Sequence, residues 1–230
     1  MWYWFFKFVV VGPFALAVYR PAWHGREHLP RTGPFVLAAN HTSMIEPAFV
    51  SLGVPRRVVF VAKRKYYDGR GPKGRVLGWF LTAIGQVPID VDSAQTAAPA
   101  LATASRILQE GGVWAVFPEG TRSPDGRMFR GRTGCMRVAL PLGVPVIPVA
   151  LTGARGGGPW WTWRHGRSRL TVTYLEPFDT SPWADRADDP AAWREATDDL
   201  MARIRAVTGQ DYVERHATPE EIGRRDAHDS

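Results

Sequence analysis

A chain of 230 residues is long enough for one domain with a full hydrophobic core and too short for two ordinary ones. Lysine and arginine number 29 against 22 acidic residues, a net charge of +7 that favours anionic partners such as lipid headgroups, phosphorylated thioesters or nucleic acid without choosing among them. The single cysteine, Cys135, excludes an intramolecular disulfide.

The first twenty residues are the most apolar of the chain. Their longest uncharged run, residues 8–19, falls short of the roughly 20 residues of a spanning helix. A signal peptide is disfavoured too, because no basic stretch precedes the aromatics and no clear cleavage site follows. Trp2, Tyr3, Trp4, Phe5 and Phe6 are side chains that favour the headgroup zone of a bilayer, and Arg20 closes the segment. Residues 1–24 therefore read as an interfacial membrane-anchoring helix, with a core helix, or a tilted span if Lys7 snorkels, as the alternatives. Residues 21–34 carry Pro and Gly at intervals and read as a linker. His24 and His28 in it read as solvated; together with His41 they lack metal-site spacing, so no metal is expected.

Phe35–Ala39 is a short apolar run that reads as a buried strand. Asn40-His41-Thr42-Ser43-Met44-Ile45-Glu46-Pro47 follows, placing a histidine and a carboxylate five residues apart on the turn at the strand's carboxyl end, where open α/β sheets bind ligands. A neutral imidazole, with a reference pKa of about 6.5, takes up a proton near neutral pH, and a carboxylate on its other nitrogen fixes the tautomer. No serine or cysteine with nucleophile-elbow surroundings lies nearby, so direct attack by a substrate hydroxyl is the natural chemistry. Ser43 and Glu46 also fit a helix capping box, which would leave His41 a simple turn residue.

Residues 56–62 read as a second buried strand, running into the basic end Lys63-Arg64-Lys65. Residues 76–84, with Trp79 and Phe80, suit a core helix or an acyl-channel lining equally. Helical spacing of Ala97, Leu101, Ala104, Ile107 and Leu108 predicts a helix over 94–110 that Gly111-Gly112 ends. A strand over 113–117 then delivers Pro118-Glu119-Gly120-Thr121-Arg122. Gly120 permits close backbone approach, Thr121 offers a hydroxyl, and Arg122 is a planar fork suited to phosphate; a tight turn with an exposed arginine is the plainer alternative. A helix over 135–142 follows, and Arg130, Arg132 and Arg137 form either an anion surface or a solvated basic face.

Residues 144–151 read as a buried strand whose prolines, Pro145 and Pro148, suggest a sheet margin. Beyond a glycine-rich loop, Trp160, Trp161, Trp163 and Arg164 fit a membrane contact or a buried aromatic cluster. Residues 169–174 alternate as a strand, 190–207 as an amphipathic helix, and 209–230 read as a polar, disordered tail. Alternating strands and helices predict an α/β fold with a mainly parallel central sheet flanked by helices, preceded by the interfacial membrane helix.

Three blocks, NHTSMIEP (40–47), FPEGTRS (117–123) and GVPVIPVAL (143–151), occur in an order that resembles the signature of the glycerolipid acyltransferase family, in particular the 1-acylglycerol-3-phosphate acyltransferases. The resemblance spans about 25–178, marks 25–208 as the acyltransferase domain, and is most specific at FPEGTRS. It implies transfer of a fatty acyl group from acyl-CoA or acyl-carrier protein to the hydroxyl of 1-acylglycerol 3-phosphate, giving phosphatidate, with no cofactor beyond the thioester donor. On this reading His41 is the general base, Glu46 orients it, and Lys63, Glu119, Gly120, Thr121 and Arg122 bind substrate. Lys63, Gly78 and Gly85 resemble an acceptor-binding block, and 143–151 resembles a segment that packs near the acyl pocket. The implied partners are a lysophospholipid, a thioester and an anionic membrane surface, not nucleic acid, with the protein peripheral or monotopic on the cell membrane and its site facing the cytoplasm.

Two departures mark the sequence. The family pattern is His-x-x-x-x-Asp, whereas this chain has Glu46, and Val91 stands where an arginine is common. They leave open an O-acyltransferase with another lysolipid or glycolipid acceptor, and a non-catalytic peripheral lipid-binding protein.

Overall fold

The computed structural model of the chain describes residues 2–63, 86–89, 97–154 and 170–228. Gly78, Gly85, Val91, Trp79, Phe80 and the tryptophans at 160, 161 and 163 lie outside the described residues. Among the described residues, seven strands form one sheet in the order β1-β8-β7-β2-β5-β3-β4: β1 Ala22–His24, β2 Phe35–Ala39, β3 Val58–Lys63, β4 Gln86–Ile89, β5 Val113–Val116, β7 Val146–Thr152 and β8 Thr171–Tyr174. Every pairing is parallel except β7 with β8. The helices of eight residues or more among the described residues are α1 Trp2–Tyr19, α2 Glu46–Gly53, α3 Ala97–Gln109, α4 Gly134–Leu142, α5 Pro190–Thr208 and α6 Pro219–His228.

The two-residue alternation of a strand sorts the core into two layers. From β2, Val36 and Ala38 pack with Leu108 of α3, Met136 of α4 and Leu200 of α5. Phe35, Leu37 and Ala39 pack on the opposite face with Ala15 of α1 and Phe49 and Val50 of α2. All five β2 side chains are buried, as a continuous apolar run in a covered parallel sheet requires. The α/β fold with a mainly parallel sheet flanked by helices is thus as expected.

The apolar amino terminus is a helix laid on the domain. Tyr3 accepts the backbone N–H of Val58 on its hydroxyl at 3.0 Å, and Lys7 donates to the carbonyls of Val54 and Arg56 just past α2. Phe6–Val11 is wound as a π-helix immediately before Pro13, whose ring and missing N–H disturb the preceding turn. The opposite face is bare: Trp2 and Phe8 are 58% exposed and Phe14 57%.

Three expectations are corrected. The presumed linker contributes β1, a three-residue edge strand parallel to β8. The proline-bearing β7 lies inside the sheet, between β2 and β8, rather than at its margin. Pro148 is tolerated there because its nitrogen and carbonyl face β8 and not β2; the carbonyl accepts from Leu175 at 2.9 Å just beyond the last ladder pair, Val149 with Tyr174, so the missing N–H forgoes one bond at the end of that ladder and none to β2. Finally, the stretch read as a disordered tail carries β9 Tyr212–Val213, which pairs with β6 Met128–Phe129, and then α6.

Candidate active site

Strands β2, β5 and β3 are adjacent and parallel, so their carboxyl ends share one edge of the sheet. His41 follows β2, the loop 117–123 follows β5, and Lys63 is the last residue of β3. This edge gathers the sequence-predicted site, as expected where parallel strands hand over to turns.

His41 is clamped on two sides. Its Nδ1 lies 2.7 Å from Glu46 Oε2, and its ring stacks on Phe117 with centroids 3.8 Å apart and planes 13° from parallel. The Glu46 side chain is fully buried, whereas His41 keeps 15% of its side-chain surface open. A carboxylate only accepts, so Nδ1 carries the hydrogen and the lone pair falls on Nε2.

Glu46 serves more than the histidine. It also accepts the Thr42 backbone N–H at 2.8 Å and the Thr42 hydroxyl at 2.6 Å. The Ser43 capping box is not formed: the N-cap position of α2 is Ile45, without a side-chain cap bond. Glutamate therefore reaches back across the whole turn from the first residue of α2, and its extra methylene spans to the imidazole.

Glu119, expected in the substrate-binding loop, lies between two main-chain segments. Its side chain is buried and both oxygens are occupied by backbone donors, His41 N at 3.0 Å and Phe129 N at 2.9 Å. Through these two bonds it holds the main chain of both loops in place. Burial pushes its carboxyl up to about 7, with the nearby Glu46 charge acting in the same direction and the two N–H bonds opposing. In return the His41 carbonyl accepts the Ser123 N–H at 2.7 Å, so the two turns are tied reciprocally.

Gly120 has φ +75°, and a Cβ there would come within 2.8 Å of Arg132 Nε. The turn thus needs glycine for its left-handed backbone and for the close approach of Arg132. Arg132 N also donates to the Pro118 carbonyl at 2.7 Å. The arginines read as a basic surface are engaged within the fold: Arg130 pairs with Asp198 at 3.4 Å, and Arg137 lies 5.2 Å over the Trp193 ring.

Sequence reasoning missed several residues. Asn40, fully buried, bonds both backbone groups of Leu151 at 3.0 and 2.7 Å and so ties β2 to β7 beneath His41. Gln210 joins Asn40 at 2.9 Å to the Gly126 carbonyl at 2.7 Å. Arg225 of α6 donates to the Thr121 hydroxyl at 3.2 Å and to the Arg122 carbonyl. Asn40 and Phe117 sat inside the singled-out stretches; Gln210 gave no signal of its own.

Among the described residues, no group of three or more His, Cys, Asp or Glu is placed to hold a metal ion. Cys135 is buried in the core, and burial pushes its thiol up to about 12, which keeps it from serving as a nucleophile.

The family model described as Acyltransferase matches residues 20–152. A 1-acyl-sn-glycerol-3-phosphate acyltransferase of Limnanthes alba is 32% identical over 174 residues, covering 72% of this chain and 57% of that protein. One of Bacillus subtilis (strain 168) is 25% identical over 187 residues, covering 80% of this chain and 86% of its own length. The crystal structure of the 1-acyl-sn-glycerophosphate acyltransferase PlsC from Thermotoga maritima superimposes with a TM-score of 0.57 at 21% identity, over 87% of this chain and 80% of that one, a likeness of fold. The chain spans little more than half the length of the Limnanthes relative.

Proposed function

The chain belongs to the acyltransferase family, and on that premise we propose that it transfers a fatty acyl group from acyl-CoA or acyl-carrier protein to the free hydroxyl of 1-acylglycerol 3-phosphate, giving phosphatidate in phospholipid synthesis. The observation that carries the reading is the 2.7 Å contact of His41 Nδ1 with buried Glu46, which leaves Nε2 as the basic atom of a partly open site.

In the reaction, the acceptor hydroxyl gives its proton to His41 Nε2 as its oxygen bonds to the thioester carbonyl carbon. Glu46 stabilises the resulting imidazolium through Nδ1–H. The tetrahedral intermediate then expels sulfur, the C–S bond breaks, and the imidazolium returns its proton to the thiolate. No step calls for a metal or a bound cofactor. The loop Gly120-Thr121-Arg122, with Lys63 at the end of β3, holds the acceptor phosphate, Arg122 by charge-assisted bonds. Glu119 supports this arrangement from beneath through the His41 and Phe129 amides.

The bare face of α1 seats the protein in the membrane interface as a peripheral or monotopic protein with its site toward the cytoplasm. By length and composition α1 also passes for a membrane-crossing helix, but a third of it is buried against the domain. Its carboxyl end reaches α2, with Tyr19 edge-on to Phe49 at 5.3 Å, one turn from Glu46. Met44, three residues beyond His41, is a further exposed apolar side chain at 63%. A lipid acceptor lying in the interface thus meets the site without leaving the membrane.

Incubation of detergent-purified protein with oleoyl-CoA and 1-oleoylglycerol 3-phosphate, read by mass spectrometry, should give dioleoyl phosphatidate. Product from another lysolipid alone would overturn the acceptor assignment.

A further inference from the structure

The family match ends at residue 152, yet the last part of the chain returns to the site. Residues 210–228 are fastened there at several points. Met128 N donates to the Asp211 carbonyl at 2.8 Å, Arg130 N to those of Val213 and Arg215 at 3.1 Å, and His216 Nδ1 lies 2.8 Å from the Arg130 carbonyl. Helix α6 begins in a reciprocal capping box: Glu221 accepts the Thr218 N–H at 2.8 Å, and Thr218 Oγ1 accepts the Glu221 N–H at 3.3 Å. Arg215 grips the same Glu221 through two bonds of 2.9 and 2.7 Å. With its first turn so fixed, α6 delivers the half-buried Arg225 onto the loop, where one nitrogen donates to the Thr121 hydroxyl and to the Arg122 carbonyl.

We propose that Arg225 is a positioning residue for the acceptor phosphate, making the carboxy-terminal segment a functional wall of the active site. The inference rests on the phosphate-acceptor reading above. Arg225 holds two successive residues of the loop by their hydroxyl and carbonyl oxygens and brings a second guanidinium to the loop that carries Arg122. Gln210 fixes the far side of the same loop through Gly126, whose N–H donates to Ser123 Oγ at 2.8 Å. The segment therefore sets the shape and the charge of the place where the phosphate is held.

The test has two readouts on the full-length chain: steady-state kinetics, and hydrogen exchange of the peptide containing Ser123, whose N–H bonds to the His41 carbonyl. Arg225→Ala should raise KM for 1-oleoylglycerol 3-phosphate by roughly ten- to a hundredfold, the range for losing a bond to a charged group. kcat and KM for oleoyl-CoA should stay within about threefold, and Arg225→Lys should recover part of the loss. Exchange at Ser123 should quicken in Arg225→Ala and stay at the wild-type rate in Arg224→Ala, an exposed neighbour on the same helix. An unchanged acceptor KM in an active Arg225→Ala enzyme would overturn the proposal, as would an equal rise in KM for both substrates. A wild-type chain silent with this acceptor would count against the acceptor reading instead; Ser123 exchange unaffected by Arg225→Ala would then refute the clasp by itself.

Discussion

Glu119 accepts the backbone N–H of His41 at 3.0 Å while its other oxygen holds that of Phe129, so a buried side chain fixes the main chain of the His41 turn. In Glu119→Gln one of those two N–H groups must face the amide NH2. A loss of about 1–3 kcal/mol is expected for an unsatisfied buried donor, a fall in Tm of several degrees by thermal unfolding.

The same carboxyl sets a pH dependence. Its native value, raised to about 7 from the ordinary 4.5, means that the folded chain binds more protons than the unfolded one between those limits. Its contribution to stability is therefore greatest at the acid end and declines as pH rises toward 7. The Tm difference between wild type and Glu119→Gln should be larger at pH 5 than at pH 7.5; a difference that grows with pH would contradict the assignment.

Phe117 supports the His41 ring by stacking and itself stacks on Phe60 at 5.5 Å. Phe117→Leu keeps an apolar side chain but loses the flat face, and kcat should fall by roughly three- to tenfold, the worth of an aromatic pair. KM for both substrates should change little.

The exposed face of α1 makes its own prediction. Replacing Trp2, Trp4 and Phe8 together by serine should weaken binding to phosphatidylglycerol vesicles by at least roughly a hundredfold in a flotation assay, since each aromatic contributes of the order of a buried apolar side chain. Tm in detergent should hold, because Tyr3, Lys7, Ala15 and Tyr19, all retained, hold the helix to the domain.

What the sequence shows and hides follows from where each residue's partners lie. Phe35–Ala39 is legible because five buried apolar residues in a row suit only a covered strand, and His41 at its end follows directly. β1 is hidden because three residues between Pro21 and Gly25 carry no period. β7 is misplaced because a proline's cost depends on which neighbour its nitrogen faces, a fact of topology. The carboxy-terminal fold was partly readable: Thr218-Pro219-Glu220-Glu221 is a capping box with proline at the first helical position, outweighed in the reading by polar composition. Gln210 was not readable, since it acts on Asn40 and Gly126 from distant sequence.

Glu46 is the clearest case of geometry deciding what spacing left open. Its carboxylate meets both His41 Nδ1 and Thr42 from the start of α2, so the backbone suits glutamate. Glu46→Asp should withdraw the carboxylate by one methylene and lower kcat by at least about tenfold, a misplacement effect.

The most direct measurement is thiol release from oleoyl-CoA by wild type and His41→Ala, with and without 1-oleoylglycerol 3-phosphate. Wild type should release thiol only when the acceptor is present, and His41→Ala should be slower by roughly 100- to 10,000-fold, the contribution of a general base. Acceptor-dependent release at the wild-type rate in His41→Ala would contradict the assignment of His41 as the base.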